Sequence, residues 1–431
     1  MAVSCAGDLW LDADFEHSVN DVTLHGPHHS VEECRNVLIL YAAGYNSLSY
    51  FLEKNIRDIQ KGHLPEEGRM DDVLLVYSHL TVGNYDYKTP SSPVLFRIYK
   101  DAENNIIKDT LVVYPEDTRS STAAQLNEVL SYVKGNFSAK TYGMVFSSHS
   151  TGYLPAGYYS SPTDGMFDLL SYRRRDWRRA APKPVPYAEV NHDSSLPIVK
   201  SIGQDDMYVD GMHMSYEIEL EDFAEAIPMC LDYILFDTCL MGGIEVAYEL
   251  KDKCRSVGFS QTEVLADGYN YTKITSQLLK QEPDPKAVCE DFYNQYIEQS
   301  GEYQSATISY IDCTALEPLA DVCADLFEKY REEIDDIIPS HVQRYYRGSC
   351  HWFYDLKSIV RNAGVEEAEL QLLQDALDKC VVYKAATPYF MNTFKIEEHS
   401  GFSMYLPCNG GPNLSAYYKG LAWNLRTGLV E

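Results

Sequence analysis

Two reactive side chains in this sequence directly follow short apolar runs. Tyr142-Gly-Met-Val-Phe146 leads into Ser147-Ser-His149-Ser-Thr-Gly152, and Tyr233-Ile-Leu-Phe236 leads into Asp237-Thr-Cys239-Leu-Met-Gly-Gly243. If both runs are strands of one parallel sheet, His149 and Cys239 reach the same edge, where open α/β sheets place their functional groups. A thiol at a strand-to-helix turn is expected near helical N–H groups, which favour the thiolate. An imidazole within reach can take the thiol proton and later protonate a leaving amine. The backbone N–H groups of Cys239 and Ser150 can stabilise an oxyanion. This is the chemistry of a cysteine peptidase. Spacing alone does not establish it, because with 11 cysteines in the chain any single one is ordinarily a buried, inert thiol.

The elements that must position these groups are legible as strand-length apolar runs at Asn36–Tyr41, Val73–Tyr77, Val94–Tyr99, Thr110–Tyr114, Tyr142–Phe146, Tyr233–Phe236 and Ser256–Phe259. Helix-like stretches at Leu48–Gln60, Ala123–Lys134, Leu220–Ile227 and Ile244–Lys253 lie between several of them. The alternation predicts an α/β fold with a largely parallel sheet flanked by helices. Residues 1–35 read as a polar extension and 36–275 as the core. Residues 276–431 read as a mainly helical region, with patterns at Pro285–Gln299, Leu316–Ile338 and Val365–Cys380, a strand-like Ala306–Asp312 and a late strand at Gly401–Pro407.

Charge narrows the partners. The 431 residues carry 36 basic and 64 acidic side chains, a formal net charge of -28. Such a surface repels phosphate backbones and anionic lipid, which speaks against nucleic acid and favours basic polypeptides. No run approaches the roughly 18–20 apolar residues of a membrane helix. The cysteines have no CxxC pair and no regular spacing, so neither a disulfide framework nor a zinc ribbon is expected. His25, His28, His29 and Cys34 have metal-ligand types, but in a polar segment that argues against a site. No HExxH, GxGxxG or P-loop occurs, and Ser147, Ser148 and Ser150 lack the glycine frame of a serine nucleophile elbow.

The wording around Cys239 is more specific than its spacing. Phe236-Asp-Thr-Cys239-Leu-Met-Gly242, with Leu220–Ile227 before it and Glu245–Leu250 after it, resembles the clostripain family of cysteine peptidases. Asn36–Tyr41 with Asn46 is similar to that family's first strand and loop. Gly258–Glu263 with Asp267–Tyr271, and Ser400–Pro407, are similar to later family segments, so the resemblance covers about residues 36–430. It implies a caspase-like fold with Cys239 as nucleophile and His149 as general base and acid, and cleavage after Arg or Lys. Asp237 and Asp267 stand at positions similar to those that line an acidic pocket, as a bidentate guanidinium partner requires. The chemistry needs no cofactor, although the acidic surplus offers oxygen ligands for Ca²⁺, which some family members require. Three positions depart from the pattern. Ser150 replaces a usual glycine, adding a Cβ beside the scissile carbonyl; Thr238 replaces alanine; and Gly44-Tyr45 stand where an acidic residue often precedes Asn46.

The resemblance also gives meaning to Tyr172-Arg-Arg-Arg-Asp-Trp-Arg-Arg179, five arginines in eight residues followed by a proline-rich stretch to Pro186. Prolines disfavour helix and central strand, so a cleavable loop is expected at about 170–200. Arg173, Arg174, Arg175, Arg178 and Arg179 would suit self-cleavage of a precursor between the two motifs. The family also implies a secreted or cell-surface location of bacterial type. Residues 1–10 show neither the basic start nor the apolar core of a signal peptide, while Ala2-Val3-Ser4-Cys5 would suit a lipidated end. The competing reading is a catalytically weak binding or scaffold protein on the same fold, motivated by Ser150.

Overall fold

The computed structural model describes residues 23–24, 33–69, 71–81, 90–159, 178, 185–186, 205–209, 212–348 and 352–431. Among the described residues, ten strands form the central sheet. In chain order they are β1 (Thr23–Leu24), β2 (Cys34–Ala43), β3 (Asp72–His79), β4 (Val94–Lys100), β5 (Ile106–Val113), β6 (Ala139–Ser147), β10 (Tyr233–Asp237), β11 (Ser256–Phe259), β12 (Thr307–Asp312) and β14 (Val381–Ala386). A small sheet lies between β6 and β10 in sequence: β7 (Val185–Pro186), β8 (Asp205–Val209) and β9 (Met212–Tyr216), with Pro186 on its edge strand, where a missing N–H costs no ladder bond. The short strands β13 (Tyr354–Asp355) and β17 (Ser403–Met404) pair with each other, as do β15 (Tyr389–Phe390) and β16 (Phe394–Lys395).

The order across the large sheet is β1-β5-β4-β3-β2-β6-β10-β11-β12-β14. The five strands from β3 to β11 are mutually parallel, and both flanks are antiparallel. Covered on both faces, a central parallel strand reads as a continuous apolar run, and β2, Cys-Arg-Asn-Val-Leu-Ile-Leu-Tyr-Ala-Ala, is buried along nearly its whole length.

Helices cover the faces: α1 (Ser49–Ile59), α2 (Ala123–Asn136), α3 (Leu220–Ala226), α4 (Ile244–Leu250), α5 (Tyr271–Leu278) and α6 (Pro285–Ile297). Residues Leu52, Asn55, Ile56 and Ile59 form the buried stripe of α1, at the spacing of one helix face. Thr122 caps α2 by accepting from the Gln125 N–H, and Asp284 caps α6 by accepting from the Ala287 N–H with Pro285 at its first position. Phe223 on α3 meets Phe146 of β6 edge-on at 5.1 Å, sealing that helix to the sheet.

The C-terminal part contributes α7 (Leu316–Lys329), α8 (Arg331–Asp335), α9 (Leu356–Asn362), α10 (Glu367–Cys380), α11 (Pro407–Tyr418) and α12 (Ala422–Thr427). It also supplies two sheet strands, β12 and β14. The sequence reading has no counterpart for β14. The late strand at 401–407 shortens to β17, with Gly243↔Ser403 as an isolated parallel bridge beside the turn that carries Cys239.

Candidate active site

The carboxyl ends of β2, β6, β10 and β11 lie side by side, and the loops leaving them carry Ser47, His149, Cys239 and Asp267. In the parallel ladder between β6 and β10, Ser147 is the partner of Asp237. His149 and Cys239 each lie two residues beyond that rung, so the sheet register alone brings the imidazole and the thiol to one edge. Both are buried, His149 at 3% and Cys239 at 0% exposure.

The turn that holds Cys239 is fixed from the neighbouring β11 loop. Leu240 N–H donates to the Thr262 carbonyl at 3.0 Å and Gly242 N–H to the Ser260 carbonyl at 2.7 Å. Leu240 adopts φ +60°, a left-handed conformation uncommon for a leucine, immediately after the thiol. The N–H that meets the Cys239 sulfur, at 3.1 Å, belongs to Val264. The sequence reading expects helical N–H groups beside the thiol. In the structure α4 begins only at Ile244, and a donor to the sulfur comes from the β11 loop.

Around His149, the Ser47 hydroxyl lies 3.2 Å from Nε2. Ser148 donates to the Ala43 carbonyl at 2.8 Å, tying the histidine loop to the end of β2. Asn46 folds that end by donating to the Ala43 carbonyl and accepting from the Leu48 N–H. Ser150, where a glycine is usual, donates its hydroxyl to the Cys239 carbonyl. Two residues on, Gly152 sits at φ +63°, and a Cβ there would lie 2.5 Å from the Leu240 carbonyl oxygen, so the two loops are in backbone contact. A cleft beside His149 and Ser150 is walled by Phe146, Leu154, Phe223, Phe236, Met241 and Glu217.

The two pocket candidates differ sharply. Asp237 is fully buried and accepts from Ser147 Oγ at 3.0 Å and Tyr271 Oη at 2.7 Å. Gly268, at φ +64°, lies against it; a Cβ there would come within 2.3 Å of its carboxylate. Asp267, the residue before, keeps 57% of its side chain exposed and pairs with Lys54 Nζ at 3.1 Å. The structure therefore brings both acids to one spot but turns only Asp267 outward.

Several contributors escape sequence reasoning. Glu217 and Glu219 accept from the Gly157 and Ala156 N–H groups at 2.8 and 3.0 Å, anchoring the segment beyond His149. Burial pushes Glu219 up to about 8. Glu263, next to the sulfur-binding Val264, takes Arg347 Nε on both oxygens at 3.1 and 2.8 Å. Tyr159 and Tyr346 share a hydroxyl contact, and Tyr346 stacks on Trp352. Their only advance signal is residue type, since each partner is remote in sequence.

Arg178 is exposed and lies 3.5 Å from Glu225. Arg173, Arg174, Arg175 and Arg179, together with Cys5 and His25, His28 and His29, fall outside the described residues. Among the described residues no group of three or more His, Cys, Asp or Glu side chains could hold a metal ion, and no helix is long and apolar enough to cross a membrane.

Comparison with known proteins places this architecture. The model of the clostripain family matches residues 40–170 and 189–426. An inactive zymogen C11 protease from Parabacteroides distasonis is similar at 25% identity and a TM-score of 0.68, over 92% of this chain and 99% of that one. A secreted C11 cysteine protease from Bacteroides thetaiotaomicron, iotapain, shares the fold at 22% identity and a TM-score of 0.68, over 92% and 100%. A secreted C11 cysteine protease from Bacteroides thetaiotaomicron in complex with an irreversible peptide inhibitor superposes at 20% identity and a TM-score of 0.67, over 91% of this chain and 99% of that one. No curated protein matches the chain.

Proposed function

Because the chain belongs to the clostripain family and is a cysteine-type peptidase of caspase-like fold, we propose that it cleaves polypeptides after Arg or Lys through Cys239 and His149. The observation that carries the reading is the shared rung, Ser147 with Asp237, which sets the imidazole and the thiol two residues beyond adjacent parallel strands.

In the proposed reaction, His149 takes the Cys239 proton and the sulfur attacks the scissile carbonyl. The N–H groups of Cys239 and Ser150 meet the oxyanion. Collapse of the tetrahedral adduct expels the amine, which takes its proton from His149 and leaves a thioester. Water, deprotonated by the same imidazole, then releases the acid and the thiol. The substrate's basic side chain is recognised by carboxylate, with Asp267 as the outward group and Asp237 behind it.

We further propose that the chain is a precursor activated by cleavage in the 173–186 loop. Two observations support this: the burial of Cys239 and His149, which denies a peptide access to the sulfur, and the zymogen state of the Parabacteroides relative. Secretion or display at the cell surface accords with the secreted Bacteroides protein. Ca²⁺ is kept as a candidate effector of the acidic surface, to be tested by chelation.

Fluorogenic peptides ending in Arg, Lys, Asp or Leu test the reading, assayed before and after nicking by trypsin that is then removed. Turnover of the Arg and Lys peptides that vanishes in Cys239→Ala is expected. No turnover of any peptide in either state would sink the assignment of these residues, and a preference for Asp or Leu would sink the specificity alone.

A further inference from the structure

The outward carboxylate of the candidate pocket already holds a cation. Lys54, on α1, reaches Asp267 at 3.1 Å across 213 residues of sequence, with 40% of the lysine and 57% of the aspartate side chain exposed. Lys54 Nζ also lies 3.5 Å from Asp58, one turn further along the same helix. Behind Asp267, Asp237 is closed off by Gly268, Tyr271 and Ser147. An arriving guanidinium or ammonium therefore meets one accessible carboxylate, and that carboxylate is engaged by an ammonium of the same chemistry.

We infer that Lys54 is a specificity-determining residue, an internal competitor that a basic substrate side chain must displace from Asp267. The inference rests on the Arg/Lys reading of the site. Displacement leaves the lysine with a partner, because Asp58 stands at i+4: one of its oxygens takes Lys61 Nζ at 2.6 Å, and the other faces Lys54 at 3.5 Å, within a small rotation of a long, flexible side chain. An exposed pair of this kind is weak, so the competition is a tuning device rather than a block. It lowers the preference for Arg and Lys over uncharged residues, and it does so most at low ionic strength, where exposed charges are least screened.

The test compares kcat/KM for matched fluorogenic peptides ending in Arg or in citrulline, its uncharged isostere, using the processed full chain. Lys54→Gln is expected to raise the Arg-to-citrulline ratio about threefold or more, the scale of an exposed ion pair. The gain should shrink at about 1 M salt, where the Debye length is about 3 Å. Lys54→Arg should keep the wild-type ratio, and Lys54→Gln placed in an Asp267→Asn background should show no gain. An unchanged or lower ratio in Lys54→Gln, beside a wild type that prefers Arg, overturns the role of Lys54 and leaves the Arg/Lys reading standing. Indifference to charge in both proteins overturns both. A wild type that is indifferent beside a Lys54→Gln variant that prefers Arg supports the role directly.

Discussion

Ser150 donates its hydroxyl to the backbone carbonyl of Cys239, so the residue after the imidazole holds the backbone of the residue that bears the thiol. A glycine at 150 would offer the same N–H without this tie. The extra side chain is thus a strut between the β6 and β10 loops.

Removing the strut should cost little stability and some rate. A neutral hydrogen bond is worth about 1 kcal/mol net, so Ser150→Ala is expected to lower kcat/KM roughly fivefold while the melting temperature moves by only a few degrees. A variant as active as wild type would show that the tie does not position the thiol.

If the loop with five arginines is cut by the chain's own site, purified wild-type protein should accumulate a two-chain form on incubation, and Cys239→Ala should stay intact. Mass spectrometry of the fragments reads the bond. Arg178, exposed and 3.5 Å from Glu225, is the arginine of that run that falls among the described residues. Equal clipping of Cys239→Ala at the same bond, with no peptidase added, would falsify self-cleavage.

The sheet is legible in the sequence wherever a strand is buried on both faces. The runs in β2, β3, β6 and β10 are apolar because helices cover them on either side. The edge strand β14, Val-Val-Tyr-Lys-Ala-Ala, alternates half-buried and exposed positions and follows α10 with no turn residue between, so nothing separates it from the helix pattern. The placement of His149 and Cys239 follows from strand ends, which are local. The groups that hold them do not. Ser47 reaches His149 over 102 residues, and Arg347 reaches Glu263 over 84. Only the folded chain creates those pairs. The donor to the Cys239 sulfur belongs to the same class, because Val264 becomes its neighbour through the parallel pairing of β10 with β11.

The buried acids make stability pH-dependent. Glu219, desolvated and crowded by Asp222 and Glu217, keeps its proton in the folded chain up to about pH 8, whereas an unfolded glutamate loses it near 4.5. Between those values the folded state binds more protons, so stability is fully present below about 4.5 and is lost as pH rises through 8. Glu245, held up at about 7 by burial, acts in the same direction. Urea midpoints measured from pH 5 to 8 should fall, and Glu219→Gln should flatten the fall, since the amide has no proton to lose. A Glu219→Gln profile parallel to wild type would mean that this carboxyl ionises without cost.

The Glu263–Arg347 pair offers a sharper test, because one partner is almost fully enclosed. Glu263 is 2% and Arg347 16% exposed. Burial pushes the Glu263 carboxyl up and the guanidinium pulls it back. Arg347→Met strands an acid beside Val264, and breaking a buried pair from one side typically costs about 3 kcal/mol. Glu263→Gln together with Arg347→Met removes both charges and should recover most of that loss, since an uncharged buried pair carries no ionic desolvation cost. Denaturant midpoints for the two single variants and the double variant close the cycle. Because the Val264 N–H contacts the Cys239 sulfur, Arg347→Met should also slow alkylation of that thiol more than the double variant does, and equal slowing in both would place the pair outside the thiol's environment.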